Sequence, residues 1–145
     1  MEATEFADKL NRLGTSMAEI IDISVDAGID QLDADLTERV FNENADIFGQ
    51  TFGKYKSEAY KALRLKLGRQ IANKDFQLFG NLKKSIFRNY DKKQLEFNSQ
   101  LQAEKGRGQE DQLNAKIFEA SDEEVKRSLA AIEDEYKNRI TKIFE

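Results

Sequence analysis

The chain has no cysteine, no histidine, no proline and no tryptophan. Without cysteine there is no disulfide framework, no thiol nucleophile and no thiolate metal site. Without histidine there is no Ser-His or Cys-His triad and no histidine-ligated zinc. The lack of proline is compatible with long uninterrupted helices. No stretch approaches the ~20 apolar residues of a membrane helix. The first twenty residues carry acids and no apolar block, so they do not read as a secretory leader, and the expected compartment is cytosolic. No repeat or low-complexity tract occurs.

What is present fits one domain. The 145 residues are 39% hydrophobic and 34% charged. That is too apolar and too periodic for a disordered chain. Charge is segregated. Residues 1–50 hold three bases, Lys9, Arg12 and Arg39, against twelve acids. Residues 51–95 hold twelve bases against Glu58, Asp75 and Asp91. Such asymmetry suggests electrostatic docking, within the fold or between copies, or simply solvated faces.

Phe6, Leu10, Leu13, Met17, Ile21, Val25, Ile29, Leu32, Leu36 and Val40 recur every three or four residues, which predicts a long N-terminal helix over 1–42. Gly14 and Gly28 are places where it could break or bend. The other side bears Asp22, Asp26, Asp30 and Asp33, with Asp35 nearby. Spacing by four makes this a helical stripe, not the alternate-position ligand set of an EF-hand.

Residues 43–120 read as a loop-rich, strand-bearing block. Asn42, Asn44, Asp46, Gly49 and Gly53 are turn formers around Phe48, Phe52 and Tyr55. Gly49-Gln50-Thr51-Phe52-Gly53-Lys54 falls short of a phosphate loop by one residue, and Tyr55 stands where Ser or Thr is needed. Residues 57–72 are expected to be partly helical. Ile86 to Tyr90 and Lys92 to Gln100 predict a hairpin turning at Asp91-Lys92. The polar run 102–114 is expected to be a mobile loop, and Lys116 to Glu119 a short strand. Ser121 with Glu124 forms a capping-box signature. Val125, Leu129, Ile132, Tyr136, Ile140 and Ile143 then predict an amphipathic helix over 121–145 that packs on the core. The fold class is therefore α+β: a long N-terminal helix, a small central antiparallel sheet with ordered loops, and a C-terminal amphipathic helix.

Two segments carry a family resemblance. The first is Phe48-Gly49-Gln50-Thr51-Phe52-Gly53-Lys54-Tyr55-Lys56-Ser57. The second is Leu78-Phe79-Gly80-Asn81-Leu82-Lys83-Lys84-Ser85-Ile86. Together they resemble the tail-completion, or head–tail joining, proteins of long-tailed bacteriophages. That family has a helical N-terminus, a Gly-and-aromatic segment ending in bases, and a Leu-Thr-Gly-x-Leu-x-x-Ser-Ile-like box. Here Phe79 stands where Thr is usual. Gln102 to Gly108 and Lys116 to Glu119 resemble the end of the pattern.

The resemblance implies a structural virion protein of the neck, assembled in the bacterial host cytoplasm. It implies a homo-oligomeric ring, often hexameric, at the head-proximal end of the tail, adding a small sheet to those of its neighbours. Its partners would be its own copies, the tail tube protein and the head connector, with DNA passing through the lumen. No enzyme activity, cofactor, metal or membrane is implied. The expected interface residues are Asp26, Asp30, Asp33, Gly49, Gly53, Lys54, Tyr55, Gly80, Ser85, Lys105, Gly106, Arg107 and Gly108. Leu82 and Ile86 of the box read more readily as core. The Asp22–Asp35 stripe is expected to face the lumen or the basic patch of the next subunit.

Three other classes compete. The basic 51–95 segment interleaves Phe52, Tyr55, Tyr60, Phe76, Phe79, Phe87 and Tyr90 with its bases, a pattern suited to nucleic acid, although the whole chain is acidic. Ser57 or Ser85 beside a lysine can be imagined as a catalytic dyad, but such neighbours are ordinary surface residues and nothing supplies an oxyanion hole. The 122–143 helix could serve as an adaptor, but it has one apolar face and the core needs it.

Overall fold

The computed structural model describes residues 1–76, 80–113 and 115–145. Leu78 and Phe79 of the second motif, and Asn114 at the end of the polar run, lie outside the described residues. The fold is α+β, as the periodicities predict. Helix α1 spans Ala3–Thr37 and runs on into a π-helical turn, Glu38–Asn42. Helix α2 spans Glu58–Lys66 and the short α3 spans Asn81–Ser85. Strands β1, Ile86–Asn89, and β2, Gln94–Phe97, form an antiparallel hairpin. Helix α4 spans Gln100–Leu113 and α5 spans Asp122–Phe144.

Neither Gly14 nor Gly28 breaks α1. Gly28 is there for packing. A Cβ on it would lie 2.5 Å from Ile132 Cγ1, and its carbonyl accepts from Ser128 Oγ at 2.8 Å. Small residues at this level let α5 approach α1 closely. The two helices run antiparallel as a stalk. Arg127 meets Asp35 at one end (2.8 Å), and the Phe6 and Phe144 rings meet at the other (6.0 Å).

The stalk leads into the head, whose core is Leu36, Val40, Phe41, Phe52, Leu82 and Ile117. Phe76, Ile86, Phe97 and Phe118 pack against it. The rings stack from Phe52 to Phe76 (4.7 Å) to Phe118 (6.1 Å) to Phe97 (5.4 Å, edge-on). Burying such rings supplies most of what a tryptophan-free core can gain.

Three expectations are corrected. The 102–114 run is helix α4 up to Leu113, not a mobile loop. Ser99 Oγ accepts from the Gln102 amide at 3.3 Å at its start. Gly106 is buried, and a Cβ there would come within 2.9 Å of the Phe97 ring. The glycine that suggested a loop is what lets the helix lie on the core. Lys116 to Glu119 is not a strand. Its carbonyls are taken by Ile47 N (onto Lys116, 3.0 Å) and by Arg39 (onto Ile117, 2.9 Å, and Glu119, 2.8 Å), so no ladder forms. The capping box of α5 is present, but its apolar row does not all face inward. Val125 is 45% and Leu129 59% exposed, because Glu124 and Ser128 take the side that meets α1.

Candidate functional surfaces

The acidic stripe is engaged within the chain. Lys93 Nζ reaches Asp26 at 2.6 Å and Asp22 at 2.8 Å. Arg88 reaches Asp30 at 2.9 Å and Asp33 at 3.6 Å, and the Tyr90 hydroxyl donates to Asp30 at 2.5 Å. The hairpin thus docks on α1 through bases that the sequence places in its positive third. These contacts hold Lys93 above the usual lysine range, through its bonds to Asp22 and then Asp26. Burial raises the Asp33 carboxyl, with Arg88 opposing and Asp30 adding to the rise. Asp26, Asp30 and Asp33, expected at a lumen or subunit contact, are ion-paired to their own hairpin. Of the two forms of docking that charge segregation allowed, this one is internal.

The two glycine-rich motifs build turns. Asp46 Oδ1 accepts from the amides of Phe48 (2.9 Å) and Gln50 (3.0 Å). The loop closes through an Ala45–Thr51 bridge, and Gly49 takes φ +78°, a conformation natural to glycine. Phe48 stands at the tip, 75% exposed. The Gly53 carbonyl accepts from Lys74 N at 2.7 Å, and Gly80 caps α3 with φ +73°. Ser85 is buried and donates to the Leu82 carbonyl at 2.6 Å. Ser57 is the N-cap of α2, accepting from Tyr60 N at 3.2 Å. Both serines of the imagined Ser-Lys dyads therefore have structural duties. Leu82 is core, and Ile86 packs on the core.

Helix α2 is held in an unusual way. Its buried residue is Arg64, which is fully enclosed. The guanidinium lies 4.7 Å over the Tyr55 ring and 5.9 Å from the Tyr60 ring. It donates to both Asp75 oxygens, at 2.8 and 2.9 Å, and Nε donates to the Gln70 carbonyl at 2.9 Å. The Tyr55 hydroxyl accepts from Asp75 N at 2.9 Å, which completes the clamp. Burial pushes the Tyr55 phenol up, with the Asp75 backbone bond opposing. Meanwhile Leu63 (44%), Leu65 (59%) and Leu67 (43%) face solvent. A small arm is thus anchored by an arginine and two tyrosines, and its leucines are left outside. The sequence reading placed Tyr55 at an interface; the structure makes it part of this anchor. The partial helix expected over 57–72 is α2, Glu58–Lys66; its leucines stand two residues apart, a spacing that no single buried helical face can satisfy.

Between α2, the Lys74–Phe76 segment and α4 lies a cleft of about 620 Å³, its wall including Lys56, Lys74 and Lys105. Lys56, Lys74 and Lys105 form no ion pair among the described residues, so the cleft wall is basic. The aromatics of 51–95 are mostly committed elsewhere. Phe52 and Phe76 are in the core assembly, Tyr55 and Tyr60 clamp Arg64, and Tyr90 binds Asp30. Lys105, Arg107 and Gly108 lie on the exposed side of α4, whereas Gly106 faces Phe97 and Phe118. Lys54 and Gly53 are exposed at the entry to the arm.

The stalk carries a second apolar surface. Leu10 (45%), Ile21 (50%), Val125 (45%) and Leu129 (59%) are exposed along it. Among the described residues no group of acids is placed to hold a metal ion, and no helix is long and apolar enough to cross a membrane. Compared with protein-family models, with curated proteins and with solved structures, the chain matches none.

Proposed function

We propose that this chain is a structural assembly protein of the phage tail-completion type. It forms a homo-oligomeric ring at the head-proximal end of the tail, completes the tube and joins it to the head connector. The observation that supports assembly most is the α2 arm, which buries Arg64 and exposes Leu63, Leu65 and Leu67. A ring needs two unlike surfaces on each subunit, so that one copy's first fits the next copy's second. The arm and the stalk strip are two such surfaces. The particular family rests on the two Gly-and-aromatic motifs, whose turns at Gly49 and Gly80 the chain forms.

The test is native mass spectrometry with negative-stain microscopy of the purified chain, at 50 and 500 mM salt and with tail tubes added. Closed rings of one stoichiometry, free or at tube ends, are expected. A monomer that neither associates nor binds tubes overturns the reading.

A second reading, nucleic-acid binding, draws on the unpaired lysines beside the cleft. It requires oligonucleotide affinity that falls steeply with salt. The commitment of Tyr55, Tyr60 and Tyr90 to internal contacts leaves it fewer bases-stacking rings than the sequence alone suggests.

A further inference from the structure

We infer that the α2 arm of one copy docks on the stalk of another, against the row formed by Leu10, Met17 and Ile21. The inference deepens the assembly reading and rests on its premise that copies of the chain contact each other.

The row is a geometric consequence of α1. Positions 10, 17 and 21 are seven and eleven residues apart, which places them within about 40° of one another around a helix. On α5, Val125, Leu129, Tyr136 and Ile140 share a face by the same count. The two faces adjoin, because Tyr136 Oη lies 3.8 Å from Met17 Sδ. The stalk therefore presents one apolar strip. The hairpin docks on other positions of α1, through Asp22, Asp26 and Asp30, and does not cover it. Gly14, between Leu10 and Met17, adds no side chain, and a Cβ there would meet nothing within 4 Å.

Three properties select the arm as occupant. The first is size. A nine-residue helix such as α2 is about 13 Å long, and the row from Leu10 to Ile21 is about 16 Å. The second is chemistry. The arm exposes Leu65 on one side of α2 and Leu63 with Leu67 on the other, so a single contact engages Leu65, beside the buried Arg64 anchor. The described residue that α2 buries in its own head is this arginine, so its exposed leucines gain from a second apolar surface. The third is charge. The outer stalk, residues 1–22 and 132–145, carries nine acids against five bases. The arm and its flanks, residues 54–69, carry five bases besides the buried, Asp75-paired Arg64, against one acid. Docking brings these together, whereas arm on arm or stalk on stalk sets like against like.

The absence of cysteine makes the test direct. Leu65→Cys and Ile21→Cys are made in separate chains, mixed in equal amounts and oxidised mildly. A disulfide forms only where Cα atoms approach within about 7 Å. The crossed 65–21 species is expected at least fivefold above either homodisulfide, and reduced severalfold at 500 mM salt. Homodisulfides in equal or greater yield, or no disulfide at all, overturn the inference. Ile21→Lys is expected to weaken self-association at least tenfold, while Phe48→Ser, at the exposed loop tip, leaves it unchanged. The outcomes separate from those of the ring itself, read by microscopy on the unmodified chain. Closed rings without the crossed disulfide leave the ring and remove this contact. The crossed disulfide in open chains of mixed length keeps the contact and removes the ring.

Discussion

Arg39 Nε lies 2.6 Å from Glu124 Oε1, and both side chains are buried. The pair joins the end of α1 to the start of α5. Arg39 also donates to the carbonyls of Ala45 (3.1 Å), Ile117 and Glu119. Glu124 accepts from Ser121 N (2.9 Å) as the acid of the capping box. A buried ion pair is costly unless its remaining polar atoms are satisfied, and here they are. The π-helical turn, with Glu43 N on Glu38 O at 2.8 Å, carries Arg39 at the point where stalk becomes head.

Glu124→Ala leaves Arg39 buried beside no carboxylate and removes half of the capping box. It is expected to cost about 3–5 kcal/mol. The melting temperature should fall by about 10 °C, at roughly 2–4 °C per kcal/mol for a chain of this size. Glu124→Gln, which keeps hydrogen-bonding capacity, should lose less. Thermal unfolding followed by circular dichroism measures both, and equal losses would show that the hydrogen bonds add nothing to the charge at this site.

The two glycines of α1 are expected to respond with opposite signs. Gly28→Ala forces Ile132 away from its present position, at a cost of about 1–3 kcal/mol. Gly14→Ala meets open space and gains about 1 kcal/mol from helix propensity. Denaturant titrations of the two variants at a concentration where the chain is monomeric check the pair.

Reversing Asp26, Asp30 and Asp33 together to Lys sets like charges against Lys93 and Arg88. The hairpin should loosen from α1, with amide exchange in β1 and β2 at least tenfold faster. Exchange in α5 should be unchanged. Asp30→Ala alone breaks a half-exposed pair worth about 0–1 kcal/mol, so its stability should be near that of the parent. Hydrogen exchange with mass spectrometry distinguishes internal docking from a lumen-facing role, in which the reversal would leave the hairpin undisturbed.

Acid should weaken the fold through Glu96 and Glu133. Hydrogen bonds from Asn89, then Gln94, lower the Glu96 carboxyl, and Lys137 lowers Glu133. A carboxyl lowered in the folded state contributes stability that is present above its unfolded value, about 4.5, and lost as pH falls through the folded one. Asp33, raised by burial, works the other way and favours its protonated form in the fold. Melting temperature measured from pH 7 to pH 3 should fall below pH 4.5, and Glu96→Gln should flatten that fall. A variant whose acid profile matches the parent would remove Glu96 from the account.

The regular elements were legible where one periodicity dominates. The row from Phe6 to Val40 gives α1, Ser121 with Glu124 gives the start of α5, and the alternation at Leu95 and Phe97 gives β2. The glycines were legible as breaks of pattern but not in their meaning. Gly28 and Gly106 are places where Ile132 and Phe97 come close, and only the partner reveals that. The acids were legible as a stripe, and charge segregation pointed to docking. The bases that take them, Arg88 and Lys93, lie sixty or so residues away on a hairpin whose docking place on α1 the sequence does not specify. Arg64 illustrates the same limit. Nothing local tells which of twelve bases in 51–95 is the one enclosed by Tyr55, Tyr60 and Asp75.

The pairing of the first helix with the last sets the order in which the chain can fold. Arg39 waits for a partner 85 residues later, and Lys9 for a carbonyl 135 residues later. During synthesis α1 leaves the ribosome long before α5 exists, with Ile20, Ile29 and Leu36 still uncovered. Contacts this distant pay loop-closure entropy before they return any stability. The stalk is therefore a late event, a zipper that closes from Arg127 toward Phe144 once the head has brought the two helices together.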